Sequence, residues 1–302
     1  MKSDRIVTAI HARLASALAA PSGHYRPFCV GTDVVGWLDD ARASTLARFR
    51  AVFEVETAGI TFTPRLADCD ARTAALEEVT RALSAKGHLT AWRDERYAVA
   101  ARLQGEPIFF IERAAARFFG LKTYAAHLNG VVAGQGGVRM WIARRSASKA
   151  IDPGMLDNLV GGGIAAGATV RSTLAKEAWE EAGIQEHVAA MSQCAGDVRI
   201  CRAQPDGLQR ETIFVHDLWL AADFLPDNQD GEAVEHRLVD LPRAAALIAQ
   251  QEGPDIVTAD ASLVILDFLL RQGALDADPA ELAALDALRV PMLELHAPGA
   301  EA

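Results

Sequence analysis

The chain has 302 residues, half of them apolar, and a formal net charge of -10. That is the composition of a globular protein long enough for two domains and a substantial core. The acidity argues against nucleic acid or an anionic membrane as the main partner, while a phosphate compound stays open because a metal ion and a few local bases override the global sign. The N-terminus, MKSDRIVTAIHARL, has no apolar signal core, and no stretch reaches the ~18 apolar residues of a membrane span, so a cytoplasmic location is the default expectation. Cys29, Cys69, Cys194 and Cys201 show no C-x-x-C pairing and read as reduced, mostly buried thiols.

In chain order, Ile6, Ala9, Ile10, Leu14 and Leu18 share one helical face, which predicts an amphipathic helix over 4–19. The apolar runs 28–31 and 34–38 predict two strands or a hairpin, Asp39 or Asp40 caps a helix to about Phe49, and 51–63 reads as strands around Gly59. A helix is expected over 70–85, then a strand, a charged turn and a strand over 89–101, then a helix over 109–119 with Phe110, Ala114 and Phe118 on one side. From there the pattern becomes one of strands. YAAHLNGVV (124–132), the glycine turn 134–137 and VRMWIA (138–143) form a long hairpin, and a domain boundary is placed near residue 120. The division is 1–120, an accessory α+β domain; 121–290, an α/β domain; and 291–302, a loose tail. Further strands are expected over 188–195, 197–202, 212–221 and 235–241, and helices over 242–250 and 258–272.

Between the hairpin and those strands lies the stretch with chemical content. A short strand at 156–160 feeds the glycine run Gly161 to Gly167, and the helix that follows carries Glu177, Glu180 and Glu181 at spacings of three and four. Three carboxylates on one helical face repel one another by a few tenths of a kcal/mol per pair, roughly, so stability alone would not select them. A divalent cation such as Mg²⁺ or Mn²⁺ reverses that sign, because hard ions take oxygen ligands.

The order of strand, glycine run and helix with Lys176-Glu177-x-x-Glu180-Glu181-x-Gly183-Ile184 closely resembles the Nudix hydrolase signature, G-x5-E-x7-R-E-U-x-E-E-x-G-U. Aligned on Gly183, the first glycine is Gly162; the first Glu falls on Ala168 and the Arg on Lys176. The resemblance implies a Nudix α/β/α sandwich with a mixed sheet, preceded by a smaller α+β domain. It also implies a hydrolase of phosphoric anhydride bonds whose catalytic cations are held mainly by Glu177, Glu180 and Glu181, with Lys176 keeping the positive charge of the missing Arg. The flanking segments HLNGVV, PGMLDNLVGGGIAAG and DLWLAADFLPDNQDGEAVEHRL look like the branch related to thiamine pyrophosphokinase, whose members commonly have Lys at this place. That branch implies hydrolysis of thiamine diphosphate, or of its oxo and oxy analogues, to the monophosphate.

Hydrolysing a diphosphate needs water in line with phosphorus and neutralisation of the oxygens. Gly161, Gly162 and Gly163 would let backbone approach a phosphate, and Glu232 would add a ligand or base from a loop, with Glu235 in reserve. Arg144, Arg145 and Lys149 either bind phosphate or end a surface hairpin; His127 and Asn129 either line the pocket or sit in the core; Trp141 and Trp219 either stack on a base or pack. Other nucleoside diphosphate derivatives, such as ADP-ribose or a dinucleotide, and a non-catalytic binding module suggested by Ala168, are the rival expectations. The expected partner is a small-molecule diphosphate, with room left for a homodimer.

Overall fold

A computed structural model describes residues 3–290 together with Leu295. Apart from Leu295, the tail expected over 291–302 lies outside the described residues.

The first part of the chain runs α1 (Ser3–Ala17), β1 (Tyr25–Val30), β2 (Asp33–Asp39), α2 (Asp40–Leu46), β3 (Phe53–Val55), β4 (Ile60–Phe62), α3 (Cys69–Ala85), β5 (Arg96–Val99) and β6 (Phe109–Glu112). Carboxylates of Asp39 and Asp68 cap α2 and α3. Four strands form a sheet in the order β2-β1-β4-β3, and β5 pairs antiparallel with β6. The helix expected over 109–119 is instead a strand followed by a 3₁₀ turn at Arg113–Ala115. Phe109 and Ile111 are buried and Phe110 less so, and this aromatic and β-branched run suits a pleated surface better than a helix. Phe28 sits at the middle of the core here, with the rings of Phe53, Phe62, Phe109 and Phe119 at 5.1 to 6.1 Å from it.

The second part runs β7 (Lys122–Gly134), β8 (Gly137–Arg145), β9 (Leu156–Asn158), β10 (Val160–Gly163), α4 (Val170–Ala182), α5 (Glu186–Ala189), β11 (Gln193–Gln204), β12 (Gly207–Trp219), β13 (Ala233–Asp240), α6 (Leu241–Ile248), α7 (Ala259–Arg271) and α8 (Pro279–Ala287). Its mixed sheet has the order β11-β12-β7-β8-β13, with β10 added to β7 and β9 to β8; β12 runs parallel to β7. The strands expected at 188–195 and 197–202 resolve into the short α5 and one long β11, which turns into β12 at Pro205-Asp206.

Period-two alternation along β7, β8 and β12 splits the apolar residues between two faces. Ala125, Val131, Met140, Ile142, Ile213 and Val215 face the helical layer of α6, α7 and α8, whereas Ala126, Leu128, Val132, Trp141 and Leu218 face α4. The result is an α/β/α sandwich. α1 joins it: Val7, Ile10 and Leu14 are buried in the layer with α6 to α8, and Arg13 donates to the Ile248 carbonyl (3.0 Å) and the Ser262 hydroxyl (2.9 Å). A division by position at residue 120 counted this helix with the first domain; its apolar stripe is buried in the other. The four cysteines are free but not buried as expected: Cys29, Cys69 and Cys201 are half-buried and Cys194 is exposed.

Candidate active site

Thr169 and Ser172 form a reciprocal capping box at the start of α4, and Gly183, with φ +66°, ends the helix. Gly161 to Gly163 are not loop but strand β10, hydrogen-bonded antiparallel to β7; the loop proper begins at Ile164. What their missing side chains admit is protein rather than phosphate. A Cβ on Gly161 would come 2.9 Å from the His127 ring, one on Gly162 2.4 Å from Glu177 Cγ, and one on Gly163 2.3 Å from the Tyr97 hydroxyl. The glycines therefore let α4 press its carboxylates against the strand. Glu181 Oε2 accepts a hydrogen bond from the Gly161 N–H at 2.9 Å.

Lys176 Nζ bridges the other two carboxylates, 2.7 Å from Glu180 Oε2 and 3.1 Å from Glu177 Oε1. Burial pushes Glu177 above the usual carboxylate range, against the pull of Lys176. Burial raises Glu181 well above it too, only partly opposed by the Gly161 N–H. Among the described residues no cation forms an ion pair with Glu181, and no three His, Cys, Asp or Glu side chains converge into a ready-made metal cage. The donor set nonetheless fits a hard divalent cation: three carboxylates on one helical face, one of them partly buried and lacking a counter-charge. Lys176 supplies positive charge between the other two from an exposed, flexible stem.

Lys176, Glu177 and Glu180 form one wall of a cavity of about 470 Å³, whereas Glu181, held at the Gly161 N–H, is not among its lining residues. Arg145, Lys149, Asp157, Gly161 to Gly163, Lys176, Glu177, Glu180 and Glu232 line it from the second part of the chain, and Arg93, Glu95, Tyr97, Arg113 and Arg117 from the first. Of the residues expected to bind substrate, His127 reaches the wall, but Asn129 does not. It is buried, donating to Asp217 Oδ1 (3.0 Å) and accepting from Asn158 (3.1 Å), and Asn158 in turn meets His127 Nδ1 at 3.0 Å. Arg144 also lies elsewhere, its guanidinium taken up by Glu235, Asp255 and the carbonyls of Gly154 and Pro254. Successive residues of β8 point to opposite faces, so Arg145 is the one that reaches the cavity, donating to Asp157 at 2.8 Å.

Glu232 is at the wall but is gripped by Lys149 and Arg93. Burial alone would raise its pKa, yet these cations outweigh it and the net shift is downward, which makes Glu232 a poor proton acceptor. Glu235 is outside, pulled down to about 2 by Arg237 and Arg144. Trp141 packs in the core on the α4 side, and Trp219 is exposed away from the cavity. The contribution of 93–117 was missed because a charged run on a turn carries no motif; only tertiary packing brings it to the glycine strand.

The NUDIX domain model matches residues 124–260, and a model described as Domain of unknown function (DUF4743) matches residues 8–123. Nudix hydrolase 20, chloroplastic, of Arabidopsis thaliana is 35% identical over 260 residues, spanning 83% of this chain and 69% of that protein. Nudix hydrolase 24, chloroplastic, of the same plant is 36% identical over 253 residues, spanning 83% and 68%. Among solved structures, DR0079 from Deinococcus radiodurans is 20% identical and covers 57% of this chain and 97% of its own, with a TM-score of 0.43.

Proposed function

The chain belongs to the Nudix hydrolase family, and from that premise we propose that it is a divalent-cation-dependent pyrophosphohydrolase of thiamine diphosphate or its oxo and oxy analogues. The observation that carries the hydrolase reading is one acidic helical face, with Glu177 and Glu181 packed against β10 and Glu177 and Glu180 at the wall of a cavity that also presents Arg113, Arg145, Lys149 and Lys176. Glu177, Glu180 and Glu181 would hold Mg²⁺ or Mn²⁺, which when bound neutralises phosphate oxygens and polarises phosphorus. The chain's own share is positioning. The basic side chains orient the diphosphate, and the N–H of Gly161 fixes the Glu181 carboxylate. In this reading Glu232 orders Lys149 and Arg93 rather than acting as the base.

Charge supports the narrower substrate. Another part of the wall carries Asp152, Asp206, Glu211 and Asp260, which suits a cationic heterocycle attached to the diphosphate. On the same reading, residues 1–120 outside α1 are an accessory unit and 121–290 the catalytic one. Incubating the protein and Mg²⁺ with thiamine diphosphate, ADP-ribose and a dinucleotide, and measuring monophosphate release, tests the proposal. Preference for thiamine diphosphate is the expected result. Preference for either of the others overturns the substrate assignment, and no turnover of any at micromolar enzyme overturns the hydrolase reading in favour of a binding module.

A further inference from the structure

The accessory unit touches the glycine strand with two side chains. The β5–β6 hairpin ends in the 3₁₀ turn at Arg113, whose backbone N–H donates to the Glu95 carbonyl at 2.8 Å. Its side chain is fixed from two sides: Nη1 is 2.6 Å from Glu95 Oε2, and Cζ lies 5.6 Å from the centroid of the Tyr97 ring. Tyr97 is buried. A Cβ on Gly163 would stand 2.3 Å from the Tyr97 hydroxyl and 3.2 Å from Arg113 Cζ and Nη2, so both groups rest directly on the strand that backs Glu177 and Glu181. The loop beyond β10 is tied to the same hairpin, the Ala166 N–H donating to the Arg96 carbonyl at 2.8 Å.

Other cations of the cavity already have acceptors. Arg145 donates to Asp157 and to the carbonyls of Asp152 and Ile151, Lys149 pairs with Glu232, and Lys176 bridges Glu177 and Glu180. Arg93 and Arg117 each reach a single carboxylate at longer range, Glu232 at 3.6 Å and Asp206 at 3.5 Å. Arg113 is instead fixed against the glycine strand: Nη1 is spent on Glu95 and Cζ stacks on Tyr97, while Nη2 lies beside Gly163 at the cavity wall with no hydrogen-bond acceptor among the described residues. A guanidinium held by a carboxylate and stacked on a ring has lost its rotamer freedom in advance, which is what favours recognition of a phosphate oxygen.

We propose that Arg113, braced by Glu95 and Tyr97, donates from Nη2 to a phosphate oxygen of the diphosphate, so that the hydrolase site is completed by the accessory unit. Arg113 is then a binding residue, and Glu95 and Tyr97 are positioning residues. The assignment rests on the diphosphate reading of the cavity, and its test separates the two by measuring binding without turnover.

Methylenediphosphonate, which is not hydrolysed, is titrated with Mg²⁺ into the full-length protein and into Arg113→Ala and Arg113→Lys by calorimetry, and thermal melting monitors the fold. Losing one charge-assisted hydrogen bond predicts about 10- to 100-fold weaker binding for Arg113→Ala. Arg113→Lys, which keeps a cation beside Glu95 but not the planar fork, is expected to bind at least about 10-fold more weakly. It carries the test where the alanine variant does not fold. Added guanidinium should restore part of the affinity to Arg113→Ala and none to Arg113→Lys, a rescue that a purely structural role would not give. A wild-type protein that binds the phosphonate but turns over no diphosphate defeats the hydrolase reading and leaves Arg113 in place. Arg113 variants that bind as tightly as wild type, or a wild type that does not bind, overturn the assignment.

Discussion

Replacing Gly162 by alanine tests whether β10 exists to seat Glu177. The new Cβ would lie 2.4 Å from Glu177 Cγ, 2.5 Å from Cδ and 2.8 Å from Oε1, whereas ordinary contact begins at 3.4 Å. Relieving the clash moves the Glu177 side chain about 1 Å, since strand backbone yields less readily than a side chain. Overpacking of this kind costs about 1–3 kcal/mol of stability, read as a loss of a few degrees in thermal melting. Misplacing a catalytic group by about 1 Å costs on the order of 100-fold in rate. Gly167→Ala is the control: Gly167 has φ +81° and nothing within 4 Å of a Cβ, so it strains the backbone without touching the carboxylates. Diphosphate hydrolysis measured against Mg²⁺ concentration should show Gly162→Ala with a large fall in kcat and a raised requirement for the cation, and Gly167→Ala with neither. Wild-type kcat and cation dependence in Gly162→Ala would refute the idea that this glycine positions Glu177.

Glu181→Gln should reduce turnover by orders of magnitude without unfolding the protein, because the amide keeps the contact with the Gly161 N–H and sheds a poorly solvated charge; unchanged kcat removes Glu181 from the metal set. Arg144→Ala is expected to lower stability by about 1–2 kcal/mol with KM unaltered, whereas Arg145→Ala should raise KM, and the reverse pattern in kinetics and chemical denaturation would show the assignment of faces on β8 to be wrong. Burial, slightly opposed by neighbouring Asp217, pulls the pKa of His216 below its ordinary value, and its Nδ1 lies 3.2 Å from the Ser192 hydroxyl. Above the ordinary pKa both folded and unfolded imidazoles are neutral; as pH falls through about 6.5 the unfolded chain protonates first, so stability declines by at most about 1.4 kcal/mol per pH unit for this one proton. His216→Gln should flatten that part of the denaturation profile, and an unchanged slope would assign the loss elsewhere, His236 being shifted the same way.

Elements whose signals are local are legible in the order of residues alone. Asp39, Thr169, Asp240 and Thr258 cap the helices they precede, and the acidic spacing of α4 pointed to a cation and a family because helical periodicity puts Glu177 and Glu181 on one face. Where competing local signals were close, residue order misleads: the aromatic run at 109–112 fits a strand once β5 lies beside it. Features that depend on partners far along the chain are set by packing instead. Pairing with β13 fixes the register of β8 and sends Arg145, not Arg144, to the cavity. The buried chain from His127 through Asn158 and Asn129 to Asp217 takes Asn129 out of the site. The glycines of β10 look alike in sequence, yet each admits a different side chain, from β7, from α4 and from the accessory hairpin. A spacing rule can specify one wall of a site, because one helix builds that wall; the facing wall, with Arg113 and Tyr97, exists only when two separately encoded units pack together.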